Sequence, residues 1–268
     1  MQSAPSNDRL FLYIDLLGFS SLVKDGGLVE SIYADIDKLN VFTHAPYFKS
    51  IAFSDTILVY SSELWSDCTD RVGAIMWMCE FAQDLFYRLL GKKVHFRALL
   101  TIGEFNHTKM TNIDSFYGEV LVRTYEYEKK LICMGLFMDS RLVEHSQIFH
   151  TDPYDNEYHF VHIMQNLQRI SHDQNAYPLF DGTFTWTDTH YLLAYDLTYV
   201  RCIYETMIDH TVDPRIRAKY LGTWQMLRTR SAALLDIYVA SNFDPRSISD
   251  FDWTEAFRRV GTSDGFYG

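Results

Sequence analysis

The stretch 10-LFLYIDLLGFSSLV-23 decides the fold, because a strand-like half is followed directly by a helix-like half. Its first half is apolar or aromatic except for Asp15, and Gly18 separates it from the second half. Strand formers bounded by glycine predict a buried β-strand. A carboxylate loses its hydration in such a strand, so Asp15 needs a compensating partner.

A second acid interrupts an apolar run in 51-IAFSDTILVY-60. Residues 47–55 and 56–62 predict a hairpin of two strands, with Ser54 and Asp55 at the turn. Each acid has a structural explanation: Asp15 as the cap of a following helix, and Asp55 as a turn residue. The functional explanation is one shared site, because a βαβ-like connection brings the two strand ends together. Adjacent carboxylates repel unless a cation lies between them, and oxygen ligands select Mg²⁺ or Mn²⁺.

The remaining pattern predicts an α+β sandwich with a mostly antiparallel sheet flanked by helices. We expect helices over residues 19–42 (broken at Gly26 and Gly27), 70–90 and 118–131, and strands within 94–105 and 132–139. Beyond these, residues 157–165 and 183–196 suggest extra strands. Residues 197–240 predict two long helices separated by Asp213 and Pro214. The last residues, 260–268, are expected to be loose.

Composition restricts the class of protein. The chain has 268 residues and a net charge of -11, which argues against a general nucleic-acid or anionic-membrane binder. The four cysteines are scattered without a CxxC pair, so we expect free thiols in a reducing compartment. Neither a signal peptide nor a run long enough to span a membrane is present, which predicts a cytoplasmic protein.

The turn after Asp15 suits a phosphate-binding role. The residues Leu17, Gly18 and Phe19 lead into a helix, and the first backbone N–H groups of a helix bind anions. A metal pair beside such a turn is what a triphosphate requires. The glycine alone is a weak signal, because the chain has no GxxxxGK[ST] loop.

Four segments together resemble the catalytic domain of class III nucleotidyl cyclases. They are FLYIDLLGFS, FSDTILVY, FRALLTIGEF and FYGEVLVRTYEYEKKL, in the order and spacing of the family. The IDxxGFS form, the serine of FSDT and the YGxxLVxxYExE helix are most similar to the pyrimidine cyclases of bacterial Pycsar antiphage defence. The resemblance implies a ferredoxin-like cyclase sandwich, with residues 1–148 as the catalytic core. Residues 149–268 are then C-terminal strands and helices, packed on the core as part of one domain.

The resemblance also implies a mechanism. Asp15, Asp55 and the backbone carbonyl of Leu16 would hold two divalent ions, Mn²⁺ or Mg²⁺. The ions would bind a nucleoside triphosphate and activate its 3′-hydroxyl, which attacks the α-phosphorus and expels pyrophosphate. The family implies a head-to-tail homodimer with shared sites. The Pycsar branch implies a cyclic pyrimidine monophosphate that is read by a separate effector protein.

Several positions depart from the family pattern. Ile51 occupies the position of the base-reading lysine of purine cyclases, and Ser115 occupies the second base-reading position. These two residues do not distinguish UTP from CTP. UTP is favoured only by analogy with the Pycsar branch. Val122 and Glu126 replace the ribose-orienting Asn and the transition-state Arg.

Two arginines are candidates for the missing transition-state role. Arg123 is the best local substitute, and its structural alternative is pairing with Glu119 or Tyr127 on a solvated helix face. Arg97 is a second candidate, with a structural role in its strand as the alternative. Two further hypotheses therefore stay open: a purine (adenylate or guanylate) cyclase, and a catalytically inactive cyclase-like module that binds a nucleotide or a partner.

Overall fold

The computed structural model describes residues 7–24, 26–173, 177 and 187–260. The chain forms two compact units that are interleaved along the sequence. The first unit comprises residues up to Leu85 together with His95–Leu131 and Gly135–Ile163. The second comprises Phe86–Val94, Ile132–Met134 and the residues from Met164 onward. Among the described residues, no helix combines the length and apolarity needed to cross a membrane.

The first unit contains nine strands and most of the shorter helices among the described residues. The strands are β1 (Asp8–Leu16), β2 (Phe48–Phe53), β3 (Thr56–Ser61), β4 (Phe96–Glu104), β5 (Asn106–Lys109), β6 (Asp114–Tyr117), β7 (Gly135–Asp139), β8 (Thr151–Pro153) and β9 (Tyr158–Val161). The helices are α1 (Phe19–Lys24), α2 (Gly26–Asp37), α3 (Val41–His44), α4 (Arg71–Leu90) and α5 (Glu119–Glu128), with a 3₁₀ turn at Ser140–His145. The last five residues of α4 belong to the second unit.

Seven strands form one sheet in the order β2-β3-β1-β4-β7-β9-β8. Every neighbouring pair is antiparallel except β4 and β7, which are parallel. A parallel pair needs a crossover connection, and the chain between β4 and β7 supplies it with the β5–β6 hairpin and α5. β1 lies between β3 and β4, and its residues Leu10, Leu12 and Ile14 have no exposed surface.

The second unit is helical, with α6 (Gln165–Asp173), α7 (Thr187–Ile208), α8 (Pro214–Ala240), a 3₁₀ turn at Pro245–Ser247 and α9 (Thr254–Arg259). The Asp213 carboxylate accepts a hydrogen bond from the Arg215 backbone N–H, and Pro214 follows the cap as the first helical residue. Both features are typical of a helix start. Helix α7 contacts both α8 and α9.

The structure confirms the α+β class, the mostly antiparallel sheet and the C-terminal helices. It also confirms the hairpin turn at Ser54 and Asp55 and the helix pair separated by Asp213 and Pro214. All four cysteines are free, as expected.

One predicted element is wrong. Residues 187–196 were expected to be a strand but form the start of α7, while residues 183–186 of that prediction lie outside the described part. Leu193, Leu197 and Val200 recur at helical spacing and are buried. Burial of this apolar helix face outweighs the alternating, strand-like sequence pattern on which the prediction was based. The predicted loose tail lies almost entirely outside the described residues.

Candidate active site

Strand pairing brings Asp15 and Asp55 together. Asp15 lies opposite Thr56 in the β1–β3 register, and Asp55 directly precedes Thr56. The next residue, Leu16, donates its backbone N–H to the carbonyl of Asp55 at 2.8 Å. The two acids therefore end neighbouring strands at the same edge of the sheet, as the shared-site hypothesis requires.

The register places further side chains on the face that carries Asp15. Directly paired residues of a sheet point to the same side. One row of pairs runs Arg97–Asp15–Thr56–Phe53, and the next runs Leu99–Tyr13–Leu58–Ile51. Ile51, at the predicted base-reading position, therefore shares a face with Asp15. Phe53 does so too, and 45% of its surface is exposed.

Burial and the negative charge at this edge of the sheet together raise the pKa of two tyrosine hydroxyls. Burial raises the pKa of Tyr13, a hydrogen bond with Thr56 opposes the rise, and the charges of Asp15 and Asp55 add to it. Burial also raises the pKa of Tyr33, and the charge of Asp55 adds to that effect. The Tyr33 hydroxyl donates to the carbonyl of Ser54 at 2.6 Å, next to Asp55. Both carboxylates thus act on the same buried hydroxyl, that of Tyr13.

Arg97 pairs with Asp15 across the β1–β4 register. One terminal nitrogen (Nη2) of Arg97 lies 2.9 Å from Oδ2 of Asp15 and also forms an ion pair with Glu128. The other terminal nitrogen donates to the carbonyls of Glu128 and Leu131, each at 3.2 Å. Burial lowers the pKa of Arg97, and the charge of Asp15 opposes the shift. Arg97 is therefore a fixed partner of Asp15, which agrees with the structural role considered for it.

The oxygen ligands available here suit a hard divalent ion such as Mg²⁺. Few of them come from side chains, so water or phosphate oxygens would complete the coordination shell. Among the described residues, no three or more His, Cys, Asp or Glu side chains cluster in a way that would hold a metal. Asp15 and Asp55 would supply two carboxylates, with the Leu16 carbonyl beside them. Mg²⁺ is commonly bound by one or two carboxylates, with phosphate oxygens and water completing its shell. The residues therefore fit a metal whose coordination shell is completed by water or by phosphate oxygens.

The turn after β1 differs in part from the phosphate-binding prediction. The backbone N–H of Leu17 donates to the carbonyl of His95 at 2.8 Å, so this group belongs to the sheet. Gly18 has a φ of 76°, a conformation that favours glycine, and Phe19 starts α1. Of the three predicted backbone contacts, only those of Gly18 and Phe19 stay in the proposal.

Ser115 lies on β6, in the β5–β6 hairpin that the sequence did not predict. The ring of its neighbour Phe116 lies 5.8 Å, centroid to centroid, from the ring of Phe53. The hairpin therefore reaches the end of β2 that carries Phe53.

Arg123 lies away from the two acids within one chain. Its Nη2 donates to the Thr101 hydroxyl at 2.9 Å and to the Ile102 carbonyl at 2.8 Å, and lies 4.0 Å from Oδ2 of Asp139. Thr101 is four residues beyond Arg97 on β4, about 13 Å along the strand. Neither Glu119 nor Tyr127 is its partner in these contacts. The structural role of Arg123 is therefore to bind residues near the end of β4, and not to pair with neighbours on a solvated helix face.

Glu128 is not among the candidates that the sequence provides. It is 6% exposed and shares the buried face of α5 with Val120, Thr124 and Tyr127. The signal was present, because positions 120, 124, 127 and 128 recur at helical spacing. An acid on that face requires a buried cation, and Arg97 supplies it.

No family model matches the sequence, and no curated protein matches it. Nucleotide cyclase domains are among the solved structures that resemble the chain. The guanylate cyclase domain of RhGC from Catenaria anguillulae, in complex with GTP, has a TM-score of 0.44 at 10% identity, over 59% of this chain and 97% of that one. The adenylyl cyclase CyaB from P. aeruginosa has a TM-score of 0.43 at 8% identity, over 58% and 93%. The guanylyl cyclase Cya2 has a TM-score of 0.40 at 16% identity, over 57% and 91%. Similarity at this level assigns neither a family nor an activity, so the functional argument rests on the site.

Proposed function

We propose that the protein is a metal-dependent nucleotide cyclase that converts a nucleoside triphosphate to its 3′,5′-cyclic monophosphate and pyrophosphate. The observation that carries the proposal is the juxtaposition of Asp15 and Asp55 at the ends of paired strands. The cyclase-like segments found in the sequence contribute these two acids and the adjoining turn. A catalytically inactive scaffold gains nothing from two acids at the ends of paired strands.

In this proposal the chain positions the nucleotide and its charges. Asp15, Asp55 and the Leu16 carbonyl would hold two divalent ions, which would supply the charge that acidifies the 3′-hydroxyl and neutralises the triphosphate. Gly18 and Phe19 offer backbone N–H groups to the phosphates. The 3′-oxygen forms a bond to the α-phosphorus, its proton passes to water, and the bond from the α-phosphorus to the bridging oxygen breaks. Pyrophosphate then leaves.

The substrate class we propose is a pyrimidine nucleotide, with UTP favoured and CTP possible. Ile51 agrees with this choice, because it lies on the Asp15 face at the position where purine cyclases carry a base-reading lysine. Ser115 is the second base-reading position. By analogy with the Pycsar branch, the cyclic product acts in the cytoplasm as a second messenger in antiphage defence and is read by a separate effector.

The proposal includes a homodimer with shared sites. Within one chain, Arg123 contacts Thr101 and Ile102 rather than the two acids. A second copy of the chain is needed to bring an Arg123 to Asp15 and Asp55. There it would stabilise the charge on the pentavalent phosphorus.

Incubation of the protein with Mn²⁺ and each of the four ribonucleoside triphosphates tests the proposal, with products identified by mass spectrometry. Cyclic UMP or cyclic CMP alone supports it. Cyclic AMP or cyclic GMP would make the protein a purine cyclase. Binding without turnover would instead favour the inactive module, to which the replacement of the family's Asn and Arg by Val122 and Glu126 already points.

The Asp55→Ala variant checks the role of the acid pair. We expect it to abolish cyclic product while the thermal unfolding curve stays close to that of the wild type, because Asp55 lies in a turn. Asp37→Ala, which removes an exposed acid at the end of α2, is the matched control and should keep full activity. Unchanged turnover in Asp55→Ala would overturn the two-metal account.

A further inference from the structure

Asp15, Arg97 and Glu128 form a largely buried set that we call the ion trio. The side chains are 16%, 11% and 8% exposed, respectively. The trio contains two carboxylates and one guanidinium, so its net charge is -1. One nitrogen of Arg97 serves both acids.

The guanidinium of Arg97 is held in place independently of Asp15. The carbonyls of Glu128 and Leu131 both accept hydrogen bonds from it, which fixes it to the end of α5. Its Nε is buried and has no hydrogen-bond partner within the described part of the chain. The positive charge is therefore neither mobile nor dispersed by water, and it stays beside Asp15.

A fixed cation beside a metal ligand opposes metal binding. Paired with Arg97 alone, Asp15 would form a neutral couple and would attract a divalent ion weakly. Glu128 changes this balance, because it neutralises the same guanidinium from the other side. The trio then retains one negative charge, to which Asp55 adds a second.

We propose that Glu128 is a positioning residue of the metal site: by neutralising Arg97, it keeps the net charge of the trio negative and so favours binding of a divalent ion at Asp15. This inference rests on the proposed function only in taking Asp15 as a metal ligand. It adds a requirement that comes from α5, outside the segments that supply the acid pair.

The test measures Mn²⁺ binding to the full chain in the absence of nucleotide, from the electron paramagnetic resonance signal of free Mn²⁺. Glu128→Gln should weaken binding by about 10- to 100-fold, the usual effect of losing a residue that supports a metal ligand. Glu119→Gln, an exposed acid in the first turn of the same helix, is the matched control and should bind as the wild type does.

A double variant separates charge from structure. Arg97→Gln combined with Glu128→Gln leaves only Asp15 charged, so the trio again carries a net charge of -1. We expect its Mn²⁺ affinity to return close to that of the wild type, whereas a purely structural role of Glu128 predicts no recovery. The double variant removes the Arg97 guanidinium together with the Glu128 carboxylate, so neither member of that ion pair is left without the other. It therefore carries the test even if Glu128→Gln does not fold.

Three results would overturn the inference: wild-type affinity in Glu128→Gln, no recovery in the double variant, or no Mn²⁺ binding by the wild type. Only the third also removes the metal site of the proposed function. Loss of binding in Asp15→Ala establishes that the measured ion is at Asp15. Weak binding by Glu128→Gln in a protein that makes no cyclic nucleotide would support the inference and reject the cyclase.

Discussion

Phe53 occupies the same row of the sheet as Asp15 and keeps nearly half of its surface exposed. Its ring lies against that of Phe116, next to Ser115. Two aromatic rings beside a proposed triphosphate site offer a flat apolar surface to a base. Neither residue was a sequence-based candidate, because an aromatic residue in a strand is more often packed in a core.

The Phe53→Ala variant tests whether a base stacks on this ring. Stacking contributes about 1–3 kcal/mol per base, so KM for the nucleotide should rise about tenfold with little change in kcat. Phe53→Tyr keeps the ring and is expected to retain the wild-type KM. Steady-state kinetics with the preferred nucleotide decide the matter, and an unchanged KM in Phe53→Ala would assign the ring to packing on Phe116.

At the scale of elements, helices α6 and α7 are joined by a buried carboxyl group. Asp196 on α7 is fully buried, accepts a hydrogen bond from the Tyr87 hydroxyl at 2.9 Å, and accepts another from the Leu167 backbone N–H at 3.0 Å. Burial raises its pKa to about 7, and the two hydrogen bonds oppose the rise. The folded protein therefore binds this proton more tightly than the unfolded chain does.

This difference predicts that stability depends on pH. Between the unfolded pKa of about 3.9 and the folded value, the folded state holds a proton that the unfolded state has lost. The free energy of unfolding should therefore fall as pH rises from about 4 to about 7, by roughly 4 kcal/mol. Asp196→Asn stays neutral and lacks this dependence, so its Tm relative to the wild type should increase with pH.

Thermal unfolding at several pH values between 4 and 8 measures the effect. Asp37→Asn, at an exposed position, should follow the wild-type curve at every pH. Parallel curves for Asp196→Asn and the wild type would show that the Asp196 carboxyl group does not titrate differently in the folded state.

The elements that the sequence predicted best are those with one dominant local signal. Gly18 after an apolar run located β1, and Asp213 with Pro214 located the start of α8. The β5–β6 hairpin escaped prediction because its strands are four residues long and largely exposed, so no alternating pattern develops. The prediction for the start of α7 was wrong because the sequence there has a short alternating pattern typical of a strand.

The candidate site likewise has one part that was predictable from the sequence and one part that was not. The proximity of Asp15 and Asp55 followed from the βαβ-like connection between the strands that carry them. The pairing of Arg97 with Glu128 depends on how α5 packs over β1 and β4, a tertiary contact that local sequence does not encode. The partners of Arg123 depend on that packing too.

At the scale of the whole molecule, the proposal requires two chains for one site. Asp55→Ala and Arg123→Ala should each lose activity, the latter by about 100-fold in kcat. In a dimer with shared sites, each variant damages a different half of the site. A mixed dimer then carries one intact site and one doubly damaged site.

Mixing the two variants should therefore restore activity. With random exchange, half of the dimers are mixed and each has one working site, so about a quarter of wild-type activity is expected. The measurement is cyclase activity after co-expression or subunit exchange, with each variant alone as the control. Activity no higher than the sum of the separate variants would place the whole site within one chain.

The position of β2 at the border of the sheet has a consequence for how such a protein diversifies. Ile51 and Phe53 lie on a strand with a single neighbour, β3, whereas Asp15 lies on β1, between two strands. A substitution on β2 disturbs few packed contacts, so it costs little stability. If the proposed base-reading role of Ile51 is correct, nucleotide preference can change through substitutions on β2 while the acid pair is retained. A library randomised at residues 51 and 53 would yield many folded proteins and is a direct route to altered substrate choice.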